Sequence, residues 1–181
     1  MQMTNAEKLI TIMLCEIQEH LKMKGEVDAG FVKDAILDDH LWAFEWRYQG
    51  IFGDSGDPSP PEVSFVVDVL DMWTFIERGY AGLSPQDKTR VDTEASPFIP
   101  PRFEGFDGNN ETEHMSIARF LVEKLDRFTN FKGRAFNSHM PTIHRYGQML
   151  KVFEPIRAKL GSPRDLSANE LIRILTRKAS D

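Results

Sequence analysis

Three histidines and one glutamate in the second half of the chain are the residues that most readily suggest chemistry. Glu111 and His114 have the i, i+3 spacing with which di-iron bundles bring a carboxylate and an imidazole to one metal. Such a site needs a second Glu-x-x-His, and the sequence contains none. His139 and His144 lie close to Ser138, but we expect Asn137 or Ser138 to cap the helix that begins near Pro141. The sequence therefore predicts no catalytic residue, metal site or cofactor; a metal-assisted or hydrolytic enzyme built on these side chains is an alternative hypothesis.

Two loops resemble known sites over only part of their length. Residues 53–58, Gly-Asp-Ser-Gly-Asp-Pro, are similar to the segment around the nucleophilic serine of chymotrypsin-like proteases. That serine needs a histidine base, an oriented aspartate and an oxyanion hole on β-barrels. Residues 107–111 begin like an EF-hand loop, but its glycine and its bidentate glutamate are replaced by Thr112 and Ala118. We interpret the first loop as a connector and the second as a helix start.

The tryptophans at positions 42 and 46 are the strongest candidates for a functional surface. A helix predicted from Asp28 to Tyr48 carries these two indoles on one stripe. Its other apolar stripe comprises Leu37, Leu41, Phe44 and Tyr48. One helix face cannot bury both stripes, and tryptophan is enriched among the residues that dominate interface energies. We therefore predict that Trp42 and Trp46 form the seam of a homodimer, with burial on two sides of one subunit as the alternative.

The charge of the chain is uneven. The 181 residues include 22 Lys and Arg and 28 Asp and Glu, for a net charge of −6, yet residues 127–181 hold 11 basic and 4 acidic residues, for +7. Such asymmetry indicates either an anionic partner or oppositely charged surfaces that meet in the fold or in an oligomer. The sequence pI near 5.4 favours the second. The basic residues of an anion- or nucleic-acid-binding alternative would be Arg157, Lys159, Arg164, Arg173, Arg177 and Lys178.

Hydropathy and cysteine content predict a cytoplasmic protein that does not span a membrane. No apolar run approaches the ~20 residues that a bilayer-spanning helix requires. The first residues lack the basic start and apolar core of a signal peptide. The single cysteine, Cys15, excludes a disulfide within the chain.

The elements that must position these residues are all predicted to be helical. Thr4 with Glu7, and Ser167 with Glu170, have the capping-box spacing that starts a helix. We predict a multi-helical bundle of about six helices with a long irregular Pro- and Gly-rich stretch over 95–110, where Phe98, Ile99, Phe103 and Phe106 pack onto the body. The helices are predicted at 4–24, with Gly25 in the left-handed position after the first helix, and at 28–48, 61–82, 112–129, 141–155 and from 167 onward, with a short helical piece near 84–87.

The chain is predicted to be one helical domain over 1–181. Within it we distinguish an N-terminal helical subdomain over 1–52, a Pro-rich connector over 53–61 and a main body over 62–181.

Several segments resemble the bacterial YfbU family in their order and spacing. They are Met3-Thr4-Asn5-Ala6-Glu7, Gly105-Phe106-Asp107, Arg119-Phe120-Leu121-Val122, Phe136-Asn137-Ser138 and Leu166-Ser167-Ala168-Asn169-Glu170. The resemblance spans nearly the whole chain. It implies a small, soluble, helical bacterial protein and assigns no activity to named residues. Our hypothesis is a non-enzymatic protein that self-associates, with a dimer favoured, and acts by binding, with another protein as a further partner.

Overall fold

The computed structural model describes residues 2–53, 58–95, 101–160 and 164–178. These residues form nine α-helices and a 3₁₀ turn over Thr129–Phe131 and contain no β-strand, which confirms the all-α prediction. No helix in the described ranges combines the length and apolar character needed to cross a bilayer. The helices are α1 (Asn5–His20), α2 (Ala29–Leu37), α3 (Trp42–Arg47), α4 (Gln49–Phe52), α5 (Pro61–Gly82), α6 (Pro85–Ala95), α7 (Thr112–Glu123), α8 (Ile143–Lys159) and α9 (Ala168–Thr176).

The chain divides into two compact units, Met1–Pro61 and Glu62–Asp181. We refer to them as the N-terminal unit and the C-terminal unit. The protease-like serine of residues 53–58 and the predicted packing of Phe98 and Ile99 lie outside the described residues.

Helix α1 is fixed at both ends by local hydrogen bonds. The Thr4 hydroxyl accepts from the Glu7 amide at 3.3 Å, and the Glu7 carboxylate accepts from the Thr4 amide at 2.7 Å, which confirms the predicted capping box. The other end is a Schellman motif in which Lys22 has a φ of +52° and the Met23 amide donates to the Gln18 carbonyl. The prediction that Gly25 occupies this left-handed position was wrong.

The predicted single helix over 28–48 was also wrong, because the chain breaks between α2 and α3. Asp39 has a φ of +59°, and the His40 amide donates back to the Ala35 carbonyl at 2.7 Å. This Schellman-type end stops α2 at Leu37 and buries His40, which is 4% exposed. The first predicted stripe is therefore divided: Leu37 lies on α2, whereas Phe44 lies on α3 with Trp42 and Trp46.

The C-terminal unit packs around Trp73 of α5, which is fully buried. Its indole contacts the ring of Tyr146 on α8, with centroids 5.7 Å apart, and Tyr146 in turn lies 5.6 Å from Phe106. Phe103 and Phe106 are buried, which confirms that this irregular segment packs onto the body. Their burial fixes the chain immediately before α7.

The helices of the C-terminal unit differ in extent from those predicted. The short piece near 84–87 is the start of an eleven-residue helix, α6. Helix α7 ends at Glu123 rather than at Thr129, because Asp126 and Phe128 both adopt positive φ values. Helix α8 begins at Ile143 and continues through Pro155 to Lys159, beyond the predicted end at residue 155.

Gly105 joins two segments of the C-terminal unit at close range. The Phe106 amide donates to the Phe136 carbonyl at 2.9 Å, and the Ser138 amide donates to the Phe106 carbonyl at 3.0 Å. Gly105 itself has a φ of +96°, and a Cβ on it would lie 2.1 Å from the Phe136 oxygen. Only glycine fits at this crossing.

We predict that Gly105→Ala lowers the free energy of unfolding by at least about 3 kcal/mol, because it combines a left-handed conformation with a backbone clash. Urea unfolding followed by circular dichroism would measure the loss. Gly50→Ala is the matched control, since a Cβ there meets nothing within 4 Å. Equal stability of the two variants would contradict the role given to Gly105.

Candidate interaction surface

The most apolar face of α1 is exposed. Five of its large side chains and that of Leu21, its C-cap residue, lie within one helical stripe, and each is between 52% and 61% exposed. We call this set the α1 outer face: Leu9, Ile10, Met13, Leu14, Ile17 and Leu21. Met23, which is 60% exposed, lies just beyond its end.

The opposite side of α1 packs on α2 and contains fewer large apolar groups. Cys15 is the one residue of α1 that is buried, and its burial raises the pKa of the thiol. Polar groups complete this contact: the Gln18 amide donates to the Val27 carbonyl at 2.9 Å, and Lys33 pairs with Glu19 at 2.5 Å. The helix therefore meets its own unit with its less apolar side.

The α1 outer face is large for a surface that stays in water. Six half-exposed aliphatic side chains present on the order of 500 Å² of apolar area, which matches the largest patches found on typical monomers. The surface is not flat, because it contains a shallow depression of about 320 Å³. This depression is lined by Met13, Glu16, Ile17, His20 and Leu21. Patches of this size with polar edges mark interaction sites.

Trp42 and Trp46, the predicted interface residues, lie one turn apart on α3 and are half-buried. Their rings meet edge to face, with centroids 5.3 Å apart and planes at 74°. A cavity of about 420 Å³ lies against them and is bordered on another side by Pro58–Pro60. Their assignment to a subunit seam stays a prediction, and the larger group of exposed apolar side chains lies on α1 instead.

Glu111 belongs to a buried polar junction rather than to a reactive centre. Its carboxylate accepts hydrogen bonds from the Asp107, Thr142 and Ile143 amides and from the Thr142 hydroxyl, at 2.7–3.0 Å. Burial opposes ionisation of this group, but the four donors outweigh it, so the pKa of Glu111 lies below its ordinary value. The carboxylate thus caps α8 from another element, where we had expected Asn137 or Ser138 to cap it.

The three candidate histidines do not meet around Glu111. His114 is half-buried between the rings of Phe65 and Phe106, whereas His139 and His144 are exposed. His144 contacts Gln148, one turn further along α8, at 2.9 Å. Among the residues that the structure describes, no three histidine, cysteine or acidic side chains are grouped as metal ligands would be.

At least two of the six basic residues proposed for anion binding are engaged within the chain. Arg157 pairs with Asp71 at 2.8 Å. Arg164 forms a bidentate pair with Glu170, with both contacts at 2.8 Å. This pair and the Ser167 cap lower the pKa of Glu170 to about 2. Arg164 therefore supports the start of α9, and the anion-binding role of this set stays a prediction.

The fold and the surface together define a class: an all-helical protein with an exposed apolar helix and structural polar clusters. The family model for the YfbU domain matches residues 1–177. The chain is also similar to UPF0304 protein MJECS11 of Methanocaldococcus jannaschii, with 30% identity over 179 residues that cover 96% of this chain and 98% of the relative. The chain belongs to the YfbU family, as the resemblance of its segments indicated.

We predict that Glu111→Gln lowers the free energy of unfolding by roughly 2–3 kcal/mol near pH 7, because an amide cannot accept from four donors as the carboxylate does. The folded-state pKa is lowered, so this stabilisation is complete above the ordinary value of 4.5 and is lost as the pH falls through the folded-state pKa. The difference between wild type and variant should therefore narrow below pH 4.5.

Urea unfolding at neutral and acidic pH would measure this difference. Glu113→Gln is the matched control, because Glu113 is exposed in the first turn of α7. A constant difference across the pH range would contradict the ionised capping role of Glu111.

Proposed function

We propose that this protein is a non-enzymatic interaction module that forms a homodimer through the α1 outer face. The carrying observation is that six large apolar side chains of one helix face lie more than half exposed while α1 packs on α2 through Cys15. We also propose that the protein is cytoplasmic and that it binds a further protein. A buried, reduced thiol at Cys15 fits a reducing compartment.

The size of the α1 outer face supports a second copy as its occupant. Two such faces brought together bury on the order of 1,000 Å² of apolar area, which is the lower bound for a specific interface. Most soluble oligomers are closed homo-oligomers, and in a twofold dimer the same patch serves on both subunits. One self-complementary helix face is therefore sufficient, and no second patch is required.

The spacing within the face supports a paired helix. Ile10, Leu14, Ile17 and Leu21 follow one another at intervals of four, three and four residues, the pattern of a coiled-coil seam. Ile10 and Leu21 are eleven residues apart, so at about 1.5 Å per residue the seam extends for about 17 Å.

Charge favours an antiparallel orientation of the two helices. The first turn of α1 carries Glu7, and the chain just beyond its end carries Lys22 and Lys24. An antiparallel pair places the acidic start of one helix beside the basic end of the other and opposes the two helix dipoles. A parallel pair would stack like charges at both ends. In the antiparallel register, Ile10 of one copy faces Leu21 of the other.

We predict that the wild-type chain elutes as a dimer of twice the 20.8 kDa chain mass at about 10 µM, and that Leu14→Glu dissociates it. A carboxylate at the centre of the seam would be buried without a partner, so the dissociation constant should rise at least about 100-fold. Gel filtration with light scattering measures both species.

Leu37→Glu is the control for this experiment. Leu37 is 70% exposed in α2 of the same unit but lies outside the α1 outer face, so the same change there should leave the dimer intact. A monomeric wild type, or equal dissociation by both variants, would refute the proposed seam.

Disulfide trapping tests the orientation separately. In a Cys15→Ala background, Ile10→Cys and Leu21→Cys should cross-link to each other in a mixed sample, because the antiparallel register brings their Cα atoms within the ~7 Å that a disulfide allows. Each variant alone should stay uncross-linked, whereas a parallel dimer would cross-link each variant to itself. Leu37→Cys in the same background is the control for random oxidation.

A further inference from the structure

We propose that Met13 is a modification site, at which oxidation of the thioether to a sulfoxide by a peroxide separates the two copies of the chain. The inference rests on the proposed dimer, because Met13 belongs to the α1 outer face through which the copies pair. It adds a chemical signal to which that dimer responds.

Exposure divides the methionines of the chain into different groups. Met72 and Met149 are fully buried in the C-terminal unit, so a dissolved oxidant does not reach their sulfur atoms. Among the methionines that the structure describes, three are more than half exposed: Met13, Met23 and Met140. These three are the side chains that a peroxide in solution meets first.

Met13 differs from the other two exposed methionines in its position. It lies three residues after Ile10 and four before Ile17, so it shares one stripe of α1 with both seam residues. It also lines the depression in the α1 outer face. A second copy seated on this face covers the thioether, whereas Met23 lies beyond the end of α1 and Met140 lies in the C-terminal unit.

The modification is a two-electron oxygen transfer. A lone pair on the Sδ atom of Met13 attacks one oxygen of hydrogen peroxide, so that an S–O bond forms and the O–O bond breaks. The second oxygen leaves as water with both hydrogens of the peroxide. The sulfur is oxidised, the peroxide is reduced, and the product is a polar sulfoxide in place of an apolar thioether.

The sulfoxide is tolerated in the separated subunit and not in the seam. Water solvates its oxygen when the α1 outer face is free. Pairing of two copies would remove that water and surround the oxygen with aliphatic side chains, which costs free energy because no donor replaces the water. Since reductases convert methionine sulfoxide back to methionine, the resulting separation of the copies is reversible.

Pairing and oxidation oppose each other, because the oxidant must reach a sulfur atom that the dimer covers. The dimer should therefore protect Met13 from peroxide. Met140 serves as an internal reference, since it lies outside the α1 outer face and should react at the same rate in monomer and dimer.

Peroxide treatment of the full chain tests the site. Peptide mass spectrometry measures the sulfoxide at each methionine, and gel filtration with light scattering measures the dissociation constant before and after treatment. We expect complete conversion of Met13 to raise the dissociation constant at least about tenfold. We also expect Met13, but not Met140, to react more slowly at protein concentrations above the dissociation constant than below it.

Two variants make the test specific. Met13→Leu keeps the α1 outer face apolar but has no thioether there, so its dimer should survive peroxide. It retains Cys15 and thereby separates the effect from oxidation of the thiol. Met140→Leu is the matched control and should dissociate on treatment as the wild type does. Circular dichroism verifies that the treated chains remain folded.

The outcomes separate this inference from the dimer on which it rests. An untreated wild type that is monomeric overturns both. A wild-type dimer whose dissociation constant is unchanged after complete oxidation of Met13 overturns the modification site alone, and so does a Met13→Leu dimer that peroxide dissociates to the same extent as wild type.

Discussion

The packing of α1 on α2 is the constraint on which the functional argument depends. A helix of this length has one strongly apolar side, and here that side points away from α2, because Cys15, Gln18 and Glu19 make the contact instead. Burying the stripe inside the unit would require α1 to rotate and would break both polar contacts. The exposed stripe is therefore fixed by the same bonds that hold α1 in place.

Local sequence signals were sufficient to predict where α1 and α9 begin. The Thr4 and Ser167 capping boxes are complete in the structure, because each needs only residues three positions apart. The break after Leu37 was missed, because the residue at the turn is Asp39 rather than glycine and the flanking apolar spacing continues through it. The exposure of the α1 outer face was missed too, since periodicity shows that a face is apolar and not what covers it.

Glu111, which the sequence analysis weighed as a metal ligand or catalytic residue, stabilises the C-terminal unit. Glu111 joins a turn at Asp107 to the start of α8, 31 residues further along the chain. A local sequence pattern does not predict a hydrogen-bond partner at this separation. The Tyr146 hydroxyl donates to the Gly105 carbonyl at 3.0 Å in the same junction. Because these hydrogen bonds stabilise its charged form and lower its pKa, the Glu111 carboxylate is a weaker base than a free glutamate.

Both sides of α1 thus have separate tasks. The side that carries Lys8 pairs with Asp39 and packs on its own unit, whereas the α1 outer face is the surface that we propose for a second copy. Because the two surfaces lie on opposite sides of α1, a substitution such as Leu14→Glu changes the α1 outer face without removing the Lys8–Asp39 pair or the Cys15 contact.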